Sequence, residues 1–284
     1  MRLIDSHCHV HFRAYDADMD NVIKQTLDAG VFMITVGTQK DTSRIGLEVA
    51  ERWDGVWATV GLHPNHLTKQ EFLDEDELDP VKTREETFDM DYYRELARHP
   101  KCVAIGETGL DYYRIPDGAD VELVKEKQRA TVRAHFDLAT EMNLPVSIHC
   151  RDAYPEQAQI IREYTQAGKL ARRGVMHCFT GTVEEARVFI ELGFLISFSG
   201  IVTFACPPGR RGKNLQEVAR ALPLEKLLIE TDAPYLTPAP DRGKRNEPWR
   251  VKYVAEKIAE LKGMSVEEVA QVTTENAKFL FSIS

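Results

Sequence analysis

The sequence predicts an α/β protein whose eight parallel strands close into a (β/α)₈ (TIM) barrel. Eight short segments rich in β-branched residues recur along the 284 residues, and amphipathic helical patterns separate them. Such alternation is typical of a parallel sheet, and eight units favour a closed barrel. An open doubly wound sheet usually carries a glycine-rich loop after its first strand, whereas residues 5–9 (DSHCH) contain no glycine. We therefore expect a single barrel domain over residues 1–284.

The expected strands are Leu3–His9, Phe32–Val36, Val56–Leu62, Cys102–Gly106, Pro145–His149, Val175–His177, Phe194–Ser199 and Leu227–Glu230. Their ends lie on average about 32 residues apart, close to the ~31 residues per unit of a ~250-residue barrel. The clearest helical patterns are Val121–Met142, Glu184–Leu192, Trp249–Leu261 and Val266–Phe281. The last of these opens with Ser265 and Glu268 in capping-box spacing.

The composition excludes disordered and membrane-spanning proteins. Hydrophobic residues make up 43% and charged residues 29% of the chain, which is ordinary for a folded globular protein. No apolar run approaches the ~18 residues that span a bilayer, and Asp5 interrupts the N-terminus before a signal-peptide core can form. Five cysteines without a CxxC pair are typical of free thiols in a reducing compartment. We expect a cytoplasmic monomer without membrane attachment.

The net charge of −9 is concentrated in one segment. Ten acidic and two basic residues lie between Glu71 and Asp91, so this segment carries −8 and the remaining residues are nearly neutral. We interpret residues 65–91 as an acidic insertion in the loop after the third strand. The overall charge is therefore a poor argument against a nucleic-acid substrate, although phosphate binding favours a basic surface.

Six candidate metal ligands lie at or near the carboxyl ends of the expected strands, where catalytic residues of barrels gather. His7 and His9 are two residues apart, so both leave the first strand on one face. Glu107 follows the fourth strand. His149 and His177 end the fifth and sixth strands, and Asp232 follows the eighth.

This set of side chains favours a pair of divalent cations. A single buried histidine or glutamate is usually a hydrogen-bonded core residue, but six ionisable groups in one cavity are expensive to desolvate unless cations offset the penalty. Six ligands exceed one tetrahedral site, so two ions sharing a carboxylate fit better. Mg, Mn and Zn all remain open. Asp232 is the candidate general base, since it would contact both an ion and the attacking water.

These residues resemble the TatD family of metal-dependent deoxyribonucleases, which are amidohydrolase-like barrels. The resemblance covers nearly the whole chain and rests on seven motifs, which are Asp5–His9, Gly61–Pro64, Ile105–Tyr113, Ser147–Ala153, His177–Gly181, Glu230–Leu236 and Arg245–Pro248.

The resemblance implies hydrolysis of DNA with magnesium or manganese, in some members from the 3′ end. It implies one ion held by His7, His9, Glu107 and Asp232. It implies a second ion held by Glu107, His149 and His177, with Glu107 bridging the two. The loop after His63 is longer and more acidic than the family pattern.

Candidate phosphate contacts lie in the loops after the seventh and eighth strands, which often bind phosphate in barrels. Residues 207–213 and 241–245 each contain three cations. We expect phosphate contacts from Arg211, Lys213 and Arg245, and from His63 and Arg151 near the same mouth. The expected substrate is single-stranded DNA or DNA ends, because the acidic insertion would repel a long duplex if it lies over the mouth of the barrel. The alternative role of residues 71–91 is to keep the protein soluble.

Two other functions remain open at this point. The same ions would also polarise the carbonyl of a lactone, an amide or an aminoacyl-tRNA ester. Alternatively, the chain would bind metal or a partner without catalysis. The basic loops favour phosphodiester hydrolysis over hydrolysis of a carbonyl bond, and the six ligand candidates argue against a non-catalytic role.

Overall fold

The computed structural model describes residues 2–72, 81–205 and 214–284. The chain adopts the predicted (β/α)₈ barrel fold, with eight strands in one sheet. These strands are β1 Leu3–Cys8, β2 Val31–Val36, β3 Val56–Val60, β6 Cys102–Asp111, β7 Val146–Arg151, β8 Gly174–Met176, β9 Leu195–Phe198 and β10 Leu227–Ile229. Their order in the sheet follows the sequence. A separate antiparallel ribbon consists of β4 Glu71–Phe72 and β5 Val81–Lys82.

Helices alternate with the strands, as the hydrophobic periodicity predicts. They are α1 Met19–Asp28, α2 Lys40–Arg52, α3 Met90–Ala97, α4 Val121–Met142, α5 Tyr154–Gln166, α6 Val183–Glu191, α7 Leu215–Ala221, α8 Val251–Lys262 and α9 Val266–Phe281. The capping box predicted for α9 is confirmed, since Ser265 and Glu268 cap each other's backbone. No helix in the described part of the chain is long and apolar enough to cross a membrane.

The chain packs as two compact units, one made of residues up to Thr35 and from His177 onward and the other of Val36–Met176. In the first unit the end of β1 lies beside the segment that follows β10. The backbone N–H of Asp232 donates to the His7 carbonyl at 2.9 Å, and that of His9 donates to the Ala233 carbonyl at 2.7 Å. The prediction of one functional domain is not tested by this packing and stays a prediction.

In the second unit β6 is twice as long as predicted, because polar residues that suggest a loop continue the strand. All ten residues of β6 are buried. Asp111 at its end exchanges hydrogen bonds with the Gln128 side chain of α4, at 2.8 and 2.9 Å. Gly109 lets β6 approach β7, since a Cβ at this position would lie 1.7 Å from the His149 carbonyl oxygen.

The acidic insertion follows β3 as predicted, and residues 73–80 of it lie outside the described residues. Its described part includes β5 and the start of α3, two elements that the sequence did not predict. Ion pairs tie it to α2 and α4, because Asp89 pairs with Lys40 at 2.9 Å and Glu85 with Lys127 at 2.7 Å. Cations of neighbouring helices therefore neutralise part of its charge.

Candidate metal centre

The first unit contains a cluster formed by His7, His9 and Asp232. The ligand atoms of these three side chains lie within 4.8 Å of one another. Asp232 Oδ1 is 3.3 Å from His9 Nε2 and 3.7 Å from His7 Nε2. Both histidines are buried, and the Asp232 side chain is nearly so. The structure thus brings together three of the six predicted ligands.

The backbone around this cluster departs from regular strand geometry. The pairing register between β1 and β2 shifts between Asp5 and Cys8, the interval that contains His7. Asp232 has a left-handed backbone, with φ of 57°. Bulges and sparsely populated backbone conformations often re-aim side chains at functional sites.

Asp232 is held as a carboxylate by its histidine neighbours. Burial alone would raise its pKa, but the hydrogen bond from His9 and the proximity of His7 and His177 outweigh burial and lower the pKa to about 2. An ionised carboxylate is the form that binds a cation or accepts a proton.

His177 lies beside the same cluster. Its ring stacks on that of His7 with a centroid distance of 3.8 Å. Its Nδ1 lies 3.4 Å from Oε1 of Glu230, a fully buried carboxylate that also accepts from the Cys178 backbone N–H. Glu230 thereby restrains the position of His177.

The second unit contains a cluster formed by His63, Glu107 and His149, again with ligand atoms within 4.8 Å. Glu107 Oε1 is 3.2 Å from His63 Nε2 and 3.4 Å from His149 Nδ1. The register between β6 and β7 shifts between Ile105 and Thr108, so Glu107, like His7, lies within an irregular interval of its strand. His63 was predicted as a phosphate contact, but the structure places it among candidate ligands.

A buried carboxylate orients His149. Asp111 Oδ2 lies 3.1 Å from His149 Nε2, which leaves Nδ1 directed toward Glu107. Burial opposes protonation of His149, but the hydrogen bonds to Asp111 and Glu107 outweigh it and raise its pKa. Metal-ligating histidines commonly have such a carboxylate behind the nitrogen that does not bind the ion.

Both donor sets fit divalent cations. Imidazole nitrogens and carboxylate oxygens bind zinc at ~2.0–2.2 Å, so atoms sharing one ion lie ~3–3.5 Å apart. The four histidine–carboxylate separations in the two clusters run from 3.2 to 3.7 Å. Nitrogen and carboxylate ligands together suit zinc or manganese, and the carboxylates also suit magnesium.

The predicted phosphate contacts differ in their surroundings. Arg245 is engaged within the protein, because its guanidinium donates to both Asp18 oxygens at 2.8 and 2.7 Å and lies over the Tyr15 ring. Arg151 lies at the end of β7, two residues beyond His149. Arg211 and Lys213 lie outside the described residues. A phosphate contact by any of them stays a prediction.

Two carboxylates with a role in these clusters were not predicted, Asp111 and Glu230. The position of each carboxylate in the sequence is a signal that could have identified it. Asp111 is four residues beyond Glu107, and Glu230 is two residues before Asp232, and both lie near strand ends. Acidic residues are rarely buried at strand ends without a cationic or imidazole partner.

Comparison with known proteins identifies the class of this barrel. Residues 4–282 match the family described as TatD related DNase. The chain is 42% identical over 283 residues to the uncharacterized metal-dependent hydrolase YabD of Bacillus subtilis (strain 168), covering 99% of this chain and 100% of the relative. It is 35% identical over 273 residues to the 3'-5' ssDNA/RNA exonuclease TatD of Escherichia coli (strain K12), covering 94% of each.

A solved structure agrees with these relatives. The crystal structure of YJJV, a TatD homolog from Escherichia coli K12, superposes with a TM-score of 0.84 at 28% identity, over 100% of this chain and 99% of that one. The barrel and its ligand clusters define a metal-dependent hydrolase. The chain belongs to the TatD family of such hydrolases, which confirms the resemblance read from its motifs.

Proposed function

We propose that this hydrolase removes nucleotides from the 3′ ends of single-stranded DNA by hydrolysing phosphodiester bonds with two divalent cations. The observation that carries the proposal is the presence of two histidine–carboxylate clusters on barrel strands and in the segments that directly follow them, each fitting a cation. Because catalytic residues of a barrel gather at the carboxyl ends of its strands, both clusters would serve one reaction. The exonuclease name of the TatD relative supports a nucleic-acid substrate.

We assign His7, His9 and Asp232 to one ion, and His149 and His177 to the other, with Glu107 bridging the two. His63 is an additional candidate ligand beside Glu107 and His149. Bound divalent cations would supply Lewis acidity, which lowers the pKa of water and stabilises charge on phosphate oxygens. Mg, Mn and Zn are the candidates.

Asp232 would move the proton in this reaction. Its carboxylate accepts a proton from the attacking water as the water oxygen bonds to phosphorus. The bond between phosphorus and the 3′ oxygen of the preceding nucleotide breaks, and Asp232 returns the proton to that oxygen. His7 and His9 hold Asp232 ionised before the step. The products are a 5′-mononucleotide and a strand shortened by one residue.

A panel of three substrates tests this assignment. The metal-loaded protein is incubated with a 3′-labelled single-stranded oligonucleotide, a lactone and an aminoacyl-tRNA. We expect mononucleotides from the oligonucleotide and no turnover of the two carbonyl esters. Turnover of a carbonyl ester with an intact oligonucleotide would overturn the nuclease assignment while leaving the hydrolase intact.

We propose a cytoplasmic location, as the five cysteines without a CxxC pair predict. The monomeric state stays a prediction that sedimentation velocity tests.

A further inference from the structure

Tyr113 is the most exposed aromatic side chain near the candidate ligands of the second unit. It follows β6 by two residues and is 58% exposed. Single exposed apolar side chains are common on protein surfaces, so the exposure of this ring becomes informative only together with its charged neighbour and the polar cluster beside it. Its neighbour Tyr112 is different, because its hydroxyl donates to Glu156 and Lys125 lies over its ring.

Arg151 lies over the Tyr113 ring, with its guanidinium carbon 3.7 Å from the ring centroid. A planar guanidinium at this distance stacks on the ring and adds a cation–π attraction. The pair therefore presents a flat aromatic surface next to a positive charge. Nucleic acids offer the complementary chemistry, since each nucleotide has a flat base and an anionic phosphate.

The candidate ligand His149 is connected to both members of this pair. Asp111 accepts from His149 through one oxygen and from the backbone N–H groups of Tyr113 and Arg114 through the other, at 3.0 and 2.9 Å. Arg151 is two residues beyond His149 on β7, so both side chains leave the strand on the same face. The position of the pair is thus fixed relative to the ligand cluster.

We propose that Tyr113 and Arg151 form a stacking platform for an unpaired nucleobase at the end of the strand. This inference rests on the proposed function and specifies how that function selects its substrate. The base stacks on the exposed part of the Tyr113 ring, while Arg151 braces the ring and contributes charge toward the adjacent phosphate. A paired terminal base already stacks within its duplex, so the platform favours single strands. Stacking tolerates every base because each has a π face.

A second arginine–aromatic pair exists in the other unit, where Arg242 lies 3.7 Å from the Phe204 ring centroid. Phe204 is only half-exposed, and its chain continues into residues outside the described range. We therefore place the stacking surface at Tyr113.

The kinetic test compares two single-stranded oligonucleotides that differ only in the presence of a base on the 3′-terminal nucleotide. For the wild-type protein we expect a KM about tenfold higher on the abasic oligonucleotide, as stacking on one aromatic side chain implies, with kcat nearly unchanged. Tyr113→Ala should raise KM for the intact oligonucleotide to the abasic value. Tyr113→Phe should behave as wild type, because it keeps the ring.

A matched control is Phe279→Ala, which removes a more exposed aromatic side chain from α9 (86% exposed) and should leave both KM values unchanged. A readout independent of turnover uses 2-aminopurine as the terminal base in the metal-loaded Asp232→Asn protein. Stacking quenches its fluorescence, and adding Tyr113→Ala should abolish the quenching.

Equal KM values for intact and abasic oligonucleotides in the wild type would overturn the platform and leave the nuclease standing. The same holds if Tyr113→Ala retains the wild-type preference and quenching. If the wild-type protein cleaves neither oligonucleotide, the proposed function itself fails, and the platform fails with it.

Discussion

Asp232 combines two properties that metal-assisted hydrolysis demands of one side chain. Its Oδ1 lies within 3.7 Å of nitrogens of both His7 and His9, and its pKa is lowered to about 2. It therefore stays ionised at neutral pH. A carboxylate in this position can hold a cation and also accept the proton of water.

Asp232→Asn separates these two roles. The amide keeps one oxygen ligand and the shape of the side chain, but it cannot take a proton at neutral pH. We expect most of the bound metal to remain and turnover to fall by about 10²-fold or more, as general-base loss implies. Metal analysis and single-strand turnover on the same sample check this. Unchanged turnover would remove Asp232 as the base.

Glu107 is the proposed bridging ligand. Its removal should therefore affect both ions, whereas the loss of a ligand to one ion should affect that ion most. We expect Glu107→Ala to lower the metal content to one ion or none, measured by elemental analysis after dialysis. Arg245→Ala, which lies in a different ion pair, serves as the control and should keep the wild-type content. Normal stoichiometry in Glu107→Ala would refute the bridge.

For individual residues, the sequence predicted which side chains belong to the candidate site better than it predicted their hydrogen-bond and ion-pair partners. Spacing alone places His7 and His9 on one face of a strand, and the structure confirms their closeness to Asp232. It could not show that Asp111 and Glu230 turn toward His149 and His177, because these contacts join residues that are 38 and 53 positions apart. Such contacts depend on tertiary packing.

Among the elements, α4 connects the helical layer to the candidate metal centre of its unit. His135 of α4 is fully buried, and its Nε2 accepts from the backbone N–H of Leu62, the residue before His63. Its Nδ1 lies 2.8 Å from the Thr131 carbonyl oxygen, so the neutral imidazole satisfies both neighbours. A proton on Nε2 would break the contact with Leu62.

Burial lowers the pKa of His135 from 6.5 to about 4. In the unfolded chain this histidine takes up a proton as the pH falls through 6.5, whereas in the folded protein it does so only near 4. The unfolded state thus binds more protons in this window, and the free energy of unfolding falls as the pH falls. From pH 7 to pH 5 we expect a loss of about 2 kcal/mol from this residue.

Urea unfolding of the metal-free protein at the two pH values measures this loss. His135→Gln has no titratable group in this range, so its stability should change less between the two pH values, by about the same ~2 kcal/mol. An equal pH dependence in both proteins would show that His135 does not remain neutral when folded.

The sequence predicted all eight barrel strands and missed the ends of several. Strand β6 shows why, since Glu107, Thr108 and Asp111 are polar and suggest a loop. Hydrogen bonds from Gln128 and the approach of β7 at Gly109 keep this segment in the sheet. A hydrophobic pattern does not identify strand residues that are polar. The polar residues of β6 are buried because they belong to the candidate site.

Across the whole molecule, the fold decides which charged side chains are paired with one another. The acidic insertion carries most of the net charge, although part of it is paired with cations of α2 and α4. The sequence predicted basic loops, but within the described residues Lys244 and Arg245 pair with Asp241 and Asp18. Sequence cannot show which cations are already paired, because pairing depends on distant segments.

We predict that the protein binds a single strand more tightly than the corresponding duplex, because the negative charge of the insertion repels a long polyanion. Titration of a fluorescent single strand and of its duplex at fixed salt measures the difference. Replacing residues 74–77 (DEDE) by Asn and Gln should strengthen binding of the duplex more than binding of the single strand. Tighter duplex binding by the wild type would contradict the role given to the insertion.

We propose that two cations act together in one hydrolytic reaction, and a metal titration of activity tests this proposal. Metal-free protein receives increasing equivalents of Mn²⁺, and the initial rate of mononucleotide release from a single strand is measured beside the amount of metal bound. We expect the rate of mononucleotide release to stay low at one bound equivalent of Mn²⁺ and to reach its maximum at two. A maximum at one equivalent, or release without any metal, would contradict it.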